Sequence, residues 1–260
     1  MPLSMDSRRN RLLAALPEYE RQRWLPQLEA VDLTLGQVLH ESGCPPTHAY
    51  FPTSALVSLL YVTAEGACAE IAVVGNEGIV GAALFMGGVT TPGRAVVQSA
   101  GGAWRMKAQC LTDAFEHCAP VRQLLLRFVQ ALMAQMAQTA VCNRHHSLDQ
   151  RLCRRLLLSL DRLPGSELVT TQQSIANLLG VRREGVTEAA LKLESAGLIR
   201  HSRGCIEVLD RAGLERRSCE CYAVVRKEYQ RLLPAAAATP PVRPHRAVAA
   251  EVFEELVGAA

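Results

Sequence analysis

The spacing of apolar positions changes three times along the chain. Residues 8–29 read as helix interrupted near Pro17, with Leu12, Leu13, Leu16, Trp24 and Leu28 as the apolar set. From Val31 the texture turns to short apolar runs at 37–40, 49–51, 56–63, 70–74, 95–99 and 103–107. Gly36, Ser42-Gly43, Pro45-Pro46, Glu65-Gly66, Gly75-Asn76 and Pro92-Gly93 punctuate them. Several short strands at regular spacing with such turns predict a small barrel or roll.

A long helix then opens at Pro120, whose fixed φ suits a first turn. A 3-4 alternation runs through Val121, Leu125, Phe128, Leu132, Gln135, Thr139 and Cys142, placing one stripe on one face. About 25 residues span roughly 38 Å at 1.5 Å per residue. That length exceeds what a small roll covers, so the stripe is expected to be a seam between two subunits. Residues 143–147 bend into a second helix over 148–160, closed by Leu163-Pro164-Gly165.

The segment 169–209 carries the sharpest signal. Thr171 is a good N-cap, and Ile175, Ala176 and Leu179 recur on one face. Gly180 stands four residues after Ala176, where a tight turn between helices requires positive φ. Val186, Ala190 and Leu193 point a second helix inward, while Arg182, Arg183, Glu184, Thr187 and Glu188 mark its other face. A hairpin over 198–209, turning at Arg203-Gly204, completes a winged helix-turn-helix. A helix fits the major groove of B-DNA, with its N-terminal side chains at base edges. Arg183 suits guanine O6/N7 and Glu184 suits cytosine N4, while Thr171, Lys192 and Arg203 are expected to hold phosphates. Glu188 either reads a cytosine or pairs with Arg183 or Lys192.

Charge supports that address. Residues 1–142 carry 10 Lys/Arg against 11 Asp/Glu, a balance of −1, and residues 143–233 carry 16 against 11, a balance of +5. The last 27 carry 2 against 3, again −1, which gives the total of +3. A polyanion therefore meets the second half of the chain. No run reaches the ~18 uncharged apolar residues of a membrane span, and the first residues lack the apolar core of a signal peptide. A cytoplasmic protein without membrane association is expected. The nine cysteines form an odd, scattered set without a C-x2-C pair, which fits reduced thiols and no metal site or cofactor. Cys219-Glu220-Cys221 is the one close pair, read as coincidence on a polar helix or as a redox- or metal-sensitive element. There is no nucleophile–base pair at informative spacing and no nucleotide loop, so an enzyme is not expected.

Over residues 8–233 these features resemble the Crp/Fnr family of bacterial transcription regulators. The resemblance implies an α+β chain: an N-terminal β-roll like a cyclic-nucleotide-binding jelly roll (1–119), a dimerisation helix (120–147) and a winged helix-turn-helix (148–233). Residues 234–260 fall outside it and read as a disordered tail. The family's recognition pattern Arg-Glu-x-Val-Ser/Thr-Arg stands here as Arg183-Glu184-Gly185-Val186-Thr187-Glu188, with an acid for the last arginine. The family's cyclic-nucleotide cassette is altered: Gly81-Ala82 lacks the ribose-binding acid, and Arg94, before Ala95, is one position off. The resemblance thus implies a homodimer on a roughly palindromic operator of double-stranded DNA, with RNA polymerase as a further candidate partner. Its effector is unidentified, with Gly81, Ala82, Arg94 and Ala95 as candidate ligand residues and tight cyclic AMP binding disfavoured. The alternative is a signal-binding module acting through protein partners with a vestigial DNA-binding domain.

Overall fold

The computed structural model describes residues 6–233 apart from Val89, Pro164 and Arg203. The tail over 234–260 and Arg203, a candidate phosphate contact, lie outside the described residues. Two short helices lead the chain, α1 (Arg11–Ala15) and α2 (Glu18–Trp24), separated at Pro17. The Asn10 side chain caps α1 through Leu12 N and Leu13 N and donates to the carbonyls of Pro52 and Gly78, anchoring the leader to the roll.

The roll consists of two antiparallel sheets. One has the order β1 (Glu29–Leu33), β7 (Gly101–Lys107), β3 (His48–Pro52). The other has the order β2 (Val38–His40), β6 (Gly93–Ser99), β4 (Leu56–Val62), β5 (Cys68–Val74). Phe51, Leu56, Val57, Val97 and Ala103 from both sheets are fully buried in one core with Trp24. The strand at 29–33 begins within the segment expected to be helical. Its pairing with β7, from Glu29 opposite Arg105 to Leu33 opposite Gly101, holds it there.

After a short helix α3 (Ala108–His117), Pro120 sits in the first turn of α4 (Ala119–His145). Its 27 residues span about 40 Å. By length and composition α4 resembles a membrane span, but it carries nine buried residues within this fold. The expected subunit seam is corrected here. Val121, Leu125, Phe128, Leu132, Gln135 and Cys142 are buried inside this chain, and Thr139 is half-buried, its hydroxyl bonded to Gln135 O and Arg154. The 3-4 spacing did mark one helical face, but the roll and the C-terminal helix cover it. Gly78 shows how closely: a Cβ there would stand 2.3 Å from the ring of Phe128. The large apolar side chains that α4 leaves outward are Leu126, Met133 and Val141.

Ser147 caps α5 (Leu148–Leu160) with a capping box closed by Gln150. Beyond it lie β8 (Glu167–Val169), α6 (Gln172–Leu179), α7 (Arg183–Ser195), β9 (Ile199–Ser202) and β10 (Cys205–Val208). These strands form a third antiparallel sheet in the order β8-β10-β9. Two helices follow, α8 (Arg211–Arg217) and α9 (Glu220–Leu232), and α9 packs along α4.

A buried polar junction ties these parts together. Arg162 Nε donates to Glu77 Oε1 at 2.7 Å, its Nη1 to Leu158 O at 2.7 Å and its Nη2 to Gln135 Oε1 at 2.8 Å. Gln135 in turn donates to Val73 O at 3.0 Å, and the guanidinium lies 5.2 Å from the centre of the Tyr229 ring. Glu77 and Arg162 are only 3% and 5% exposed, so loss of either leaves an uncompensated interior charge. We predict that Glu77→Ala costs about 3–5 kcal/mol in urea unfolding. A loss below about 1 kcal/mol would show that the remaining partners satisfy Arg162.

Candidate nucleic-acid interface and adjoining cavity

The helix-turn-helix is built from local rules. The Thr171 hydroxyl accepts from Ser174 N at 3.0 Å and contacts Ser174 Oγ at 2.8 Å, so it caps α6 rather than standing free for a phosphate. Gly180 ends α6 in the left-handed region at φ 63°, and Val181 N returns to Ala176 O at 3.0 Å. Ile175, Ala176, Val186, Ala190 and Leu193 close the apolar side of the motif.

Its outer side is set by α7. Arg182, the N-cap, and Arg183 and Glu184 in the first turn are exposed. Among the described residues, neither guanidinium is engaged in a hydrogen bond or ion pair. Thr187 is half-buried, donating to Gln172 Oε1 at 2.6 Å and to Arg183 O at 3.1 Å. Gln172 also lies 3.4 Å from His201 Nε2, and His201 N donates to Glu194 Oε1 at 2.9 Å. This chain of contacts fixes the first turn of α6, the face of α7 and strand β9 in one surface. Gln172, His201 and Glu194 were not expected from the sequence. Their only trace there is position, at a helix start and a strand that the folded motif brings together.

Glu188 and Lys192 form an exposed ion pair at 2.8 Å, one helical turn apart. The lysine's hydrogen bond holds the Glu188 carboxyl below its usual range, and the carboxylate holds the lysine above its own. Of the partners open to Glu188, the structure selects Lys192. The lysine expected to grip a phosphate is therefore occupied within the chain.

The candidate ligand residues divide. Gly81, at φ 110° before a short 3-10 turn (Ala82–Phe85), lines with Ala82 and Arg94 a largely apolar cavity of about 380 Å³. Its walls include Leu60 and Tyr61 of β4 and Val129, Leu132 and Met133 of α4. Ala95 does not belong to it: strand alternation turns this residue into the core, where it is fully buried. Arg94 is paired with Glu41, Nε at 3.1 Å and Nη2 at 3.0 Å from Oε1. His40, also in the wall, has its pKa lowered by burial, which favours the neutral ring. The cavity thus offers a small molecule mostly apolar contact and an arginine already neutralised.

Comparison with known proteins agrees with this architecture. Residues 150–217 match the Crp-like helix-turn-helix domain. No curated protein sequence matches the chain. Among solved structures, FixK2 from Bradyrhizobium japonicum is similar at TM-score 0.63 and 15% identity, over 74% of this chain and 98% of that one. TTHB099, a CRP-family transcriptional regulator from Thermus thermophilus, gives 0.61 and 18%, over 72% and 96%. CLP of Xanthomonas campestris, a c-di-GMP-responsive global regulator, gives 0.57 and 18%, over 73% and 97%.

A side chain at Gly180 would meet nothing within 4 Å, so a substitution there meets backbone strain alone. Gly180→Ala is expected to destabilise the motif by about 1–2 kcal/mol in thermal or urea unfolding, and Gly180→Asn by less.

Proposed function

Since the chain carries a Crp-like helix-turn-helix domain on the fold of Crp/Fnr transcriptional regulators, we propose that it binds a roughly palindromic operator as a homodimer and regulates transcription. The observation that carries this reading is the pair of unengaged arginines with Glu184 at the exposed start of α7, beside the wing. Arg183 makes a bidentate contact to guanine, Glu184 accepts from cytosine, and Arg182 takes a phosphate. With two copies related by a twofold axis, two such helices enter successive major grooves about 34 Å apart. The outward stripe of α4, with Leu126, Met133 and Val141, supports a seam for the second copy, in place of the inward stripe.

Met133 belongs both to this outward stripe and to the cavity wall. A molecule in the cavity therefore touches the roll and the face between subunits together. It acts by binding the DNA-competent arrangement better than its alternative. The apolar walls and the Glu41-bound Arg94 favour an effector less anionic than a cyclic nucleotide. In this reading the protein works in the cytoplasm, with RNA polymerase as a further candidate partner.

Binding to operators selected from random DNA tests the proposal. Arg183→Ala is expected to cost about 1–3 kcal/mol and relax the choice of base at one position per half-site, with the dimer intact by light scattering. Unchanged affinity and unchanged selected sequence would refute the contact. Glu188→Gln releases Lys192 for a phosphate, so the slope of log K against log salt should steepen by about one per chain. Met133→Glu is expected to shift the protein to monomers.

A further inference from the structure

The bend between α4 and α5 holds a constellation that DNA contact does not use. Cys142 and His146 stand one helical turn apart at the end of α4, and Cys219 and Cys221 flank the start of α9. Cys142 Sγ lies 3.5 Å from Cys219 Sγ, and Cys221 Sγ lies 3.5 Å from His146 Nδ1. One ligand atom from each of the four falls within 4.8 Å of every other. The cysteines are buried and His146 is half-buried.

We propose that Cys142, His146, Cys219 and Cys221 bind one zinc ion as a Cys3His structural site that clamps α9 to the end of α4. Tetrahedral zinc, with Zn–S of about 2.3 Å and Zn–N of about 2.0–2.1 Å, separates its ligand atoms by roughly 3.5–4 Å. Two of the donor pairs already stand at 3.5 Å, and the others need to close by at most about 1 Å to enclose it. Thiolate and imidazole donors select zinc over magnesium, calcium or manganese. The closeness of the sulfurs suits a single ion rather than a cluster whose thiolates sit on different irons.

The surroundings are those of a ligand set. His146 Nε2 lies 3.2 Å from Glu220 Oε1, a geometry in which Nε2–H donates to the carboxylate and the Nδ1 lone pair faces Cys221 Sγ. A carboxylate behind a ligating histidine is the usual outer-shell arrangement. Zinc takes cysteine as thiolate, any thiol proton passing to solvent, and a site of three thiolates, one neutral imidazole and Zn²⁺ carries a net charge of −1. Arg154, whose positive charge reaches both Cys142 and Cys221, offsets that charge, and its buried Nε has no partner among the described residues.

The site lies beside Ser147, the cap at which α4 gives way to α5. Zinc there holds the bend through which the roll and the DNA-binding domain are joined along α4.

The test uses the full chain, purified under reductant without chelator. Elemental analysis should find about one zinc per chain. Cobalt exchanged for zinc should give the intense visible bands of a tetrahedral ion and a near-ultraviolet sulfur-to-cobalt transition. Both signals should vanish when Cys219→Ser and Cys221→Ser are combined and persist in Cys44→Ser, which alters an exposed thiol outside the site. Glu220→Gln should weaken zinc about 10–100-fold. The wild-type cobalt spectrum keeps the proposal testable even where a variant folds poorly. A weak octahedral spectrum, equal zinc in the double variant, or a Cys142–Cys219 disulfide in the reduced preparation would each overturn it.

Discussion

The arrangement of this molecule depends on a charge that has no access to water. Arg162 leaves the end of α5 and enters the space between the roll, α4 and α9, where Glu77, Gln135, Leu158 O and the Tyr229 ring receive it. Apolar surfaces slide and rotate at little cost, whereas a buried guanidinium is satisfied in few geometries. Within α5, Arg155 pairs with Glu70 on β5, a carboxylate that also accepts from Ser58. Both pairs join the roll to the helix that leads into the helix-turn-helix. Movement between the halves must therefore break or exchange these contacts together, which favours two discrete arrangements over a continuum.

The long helix shows what periodicity reveals and what it conceals. The stripe from Val121 to Cys142 was legible as a face, because apolar side chains three and four apart must share one. Which object covers that face was not legible. Length alone pointed to a second subunit, but α9, formed from a segment whose sequence reads as polar, lies along α4 and supplies cover from within the chain. Tyr222, Val225, Tyr229 and Leu232 recur at helical spacing and are buried. A strand at 29–33 escaped notice for a related reason: its pattern is weak, and its partner lies some 70 residues away at 101–107.

The helix-turn-helix was readable because its constraints are local: a cap at Thr171, a positive-φ glycine at 180, and apolar positions within one motif. The surroundings of the outer face were less so. Gln172, His201 and Glu194 fix that face through contacts between elements, and nothing in their spacing marks them. The cysteine–histidine constellation is the extreme case. Zinc motifs are recognised in sequence by paired ligands two to four residues apart. Here Cys142 and His146 are separated from Cys219 and Cys221 by most of the DNA-binding domain, and only the packing of α9 on α4 unites them.

The ion pair on α7 bears on selectivity in a crowded genome. A DNA-binding surface competes against a vast excess of irrelevant duplex, which it meets through phosphates alone. On the proposed reading, pairing Lys192 with Glu188 tempers one cation in every such encounter and leaves Arg182 and Arg183, the arginines proposed to meet DNA, outside the pair. On that reading, an acid at the place of an arginine trades grip on phosphates for discrimination between sites.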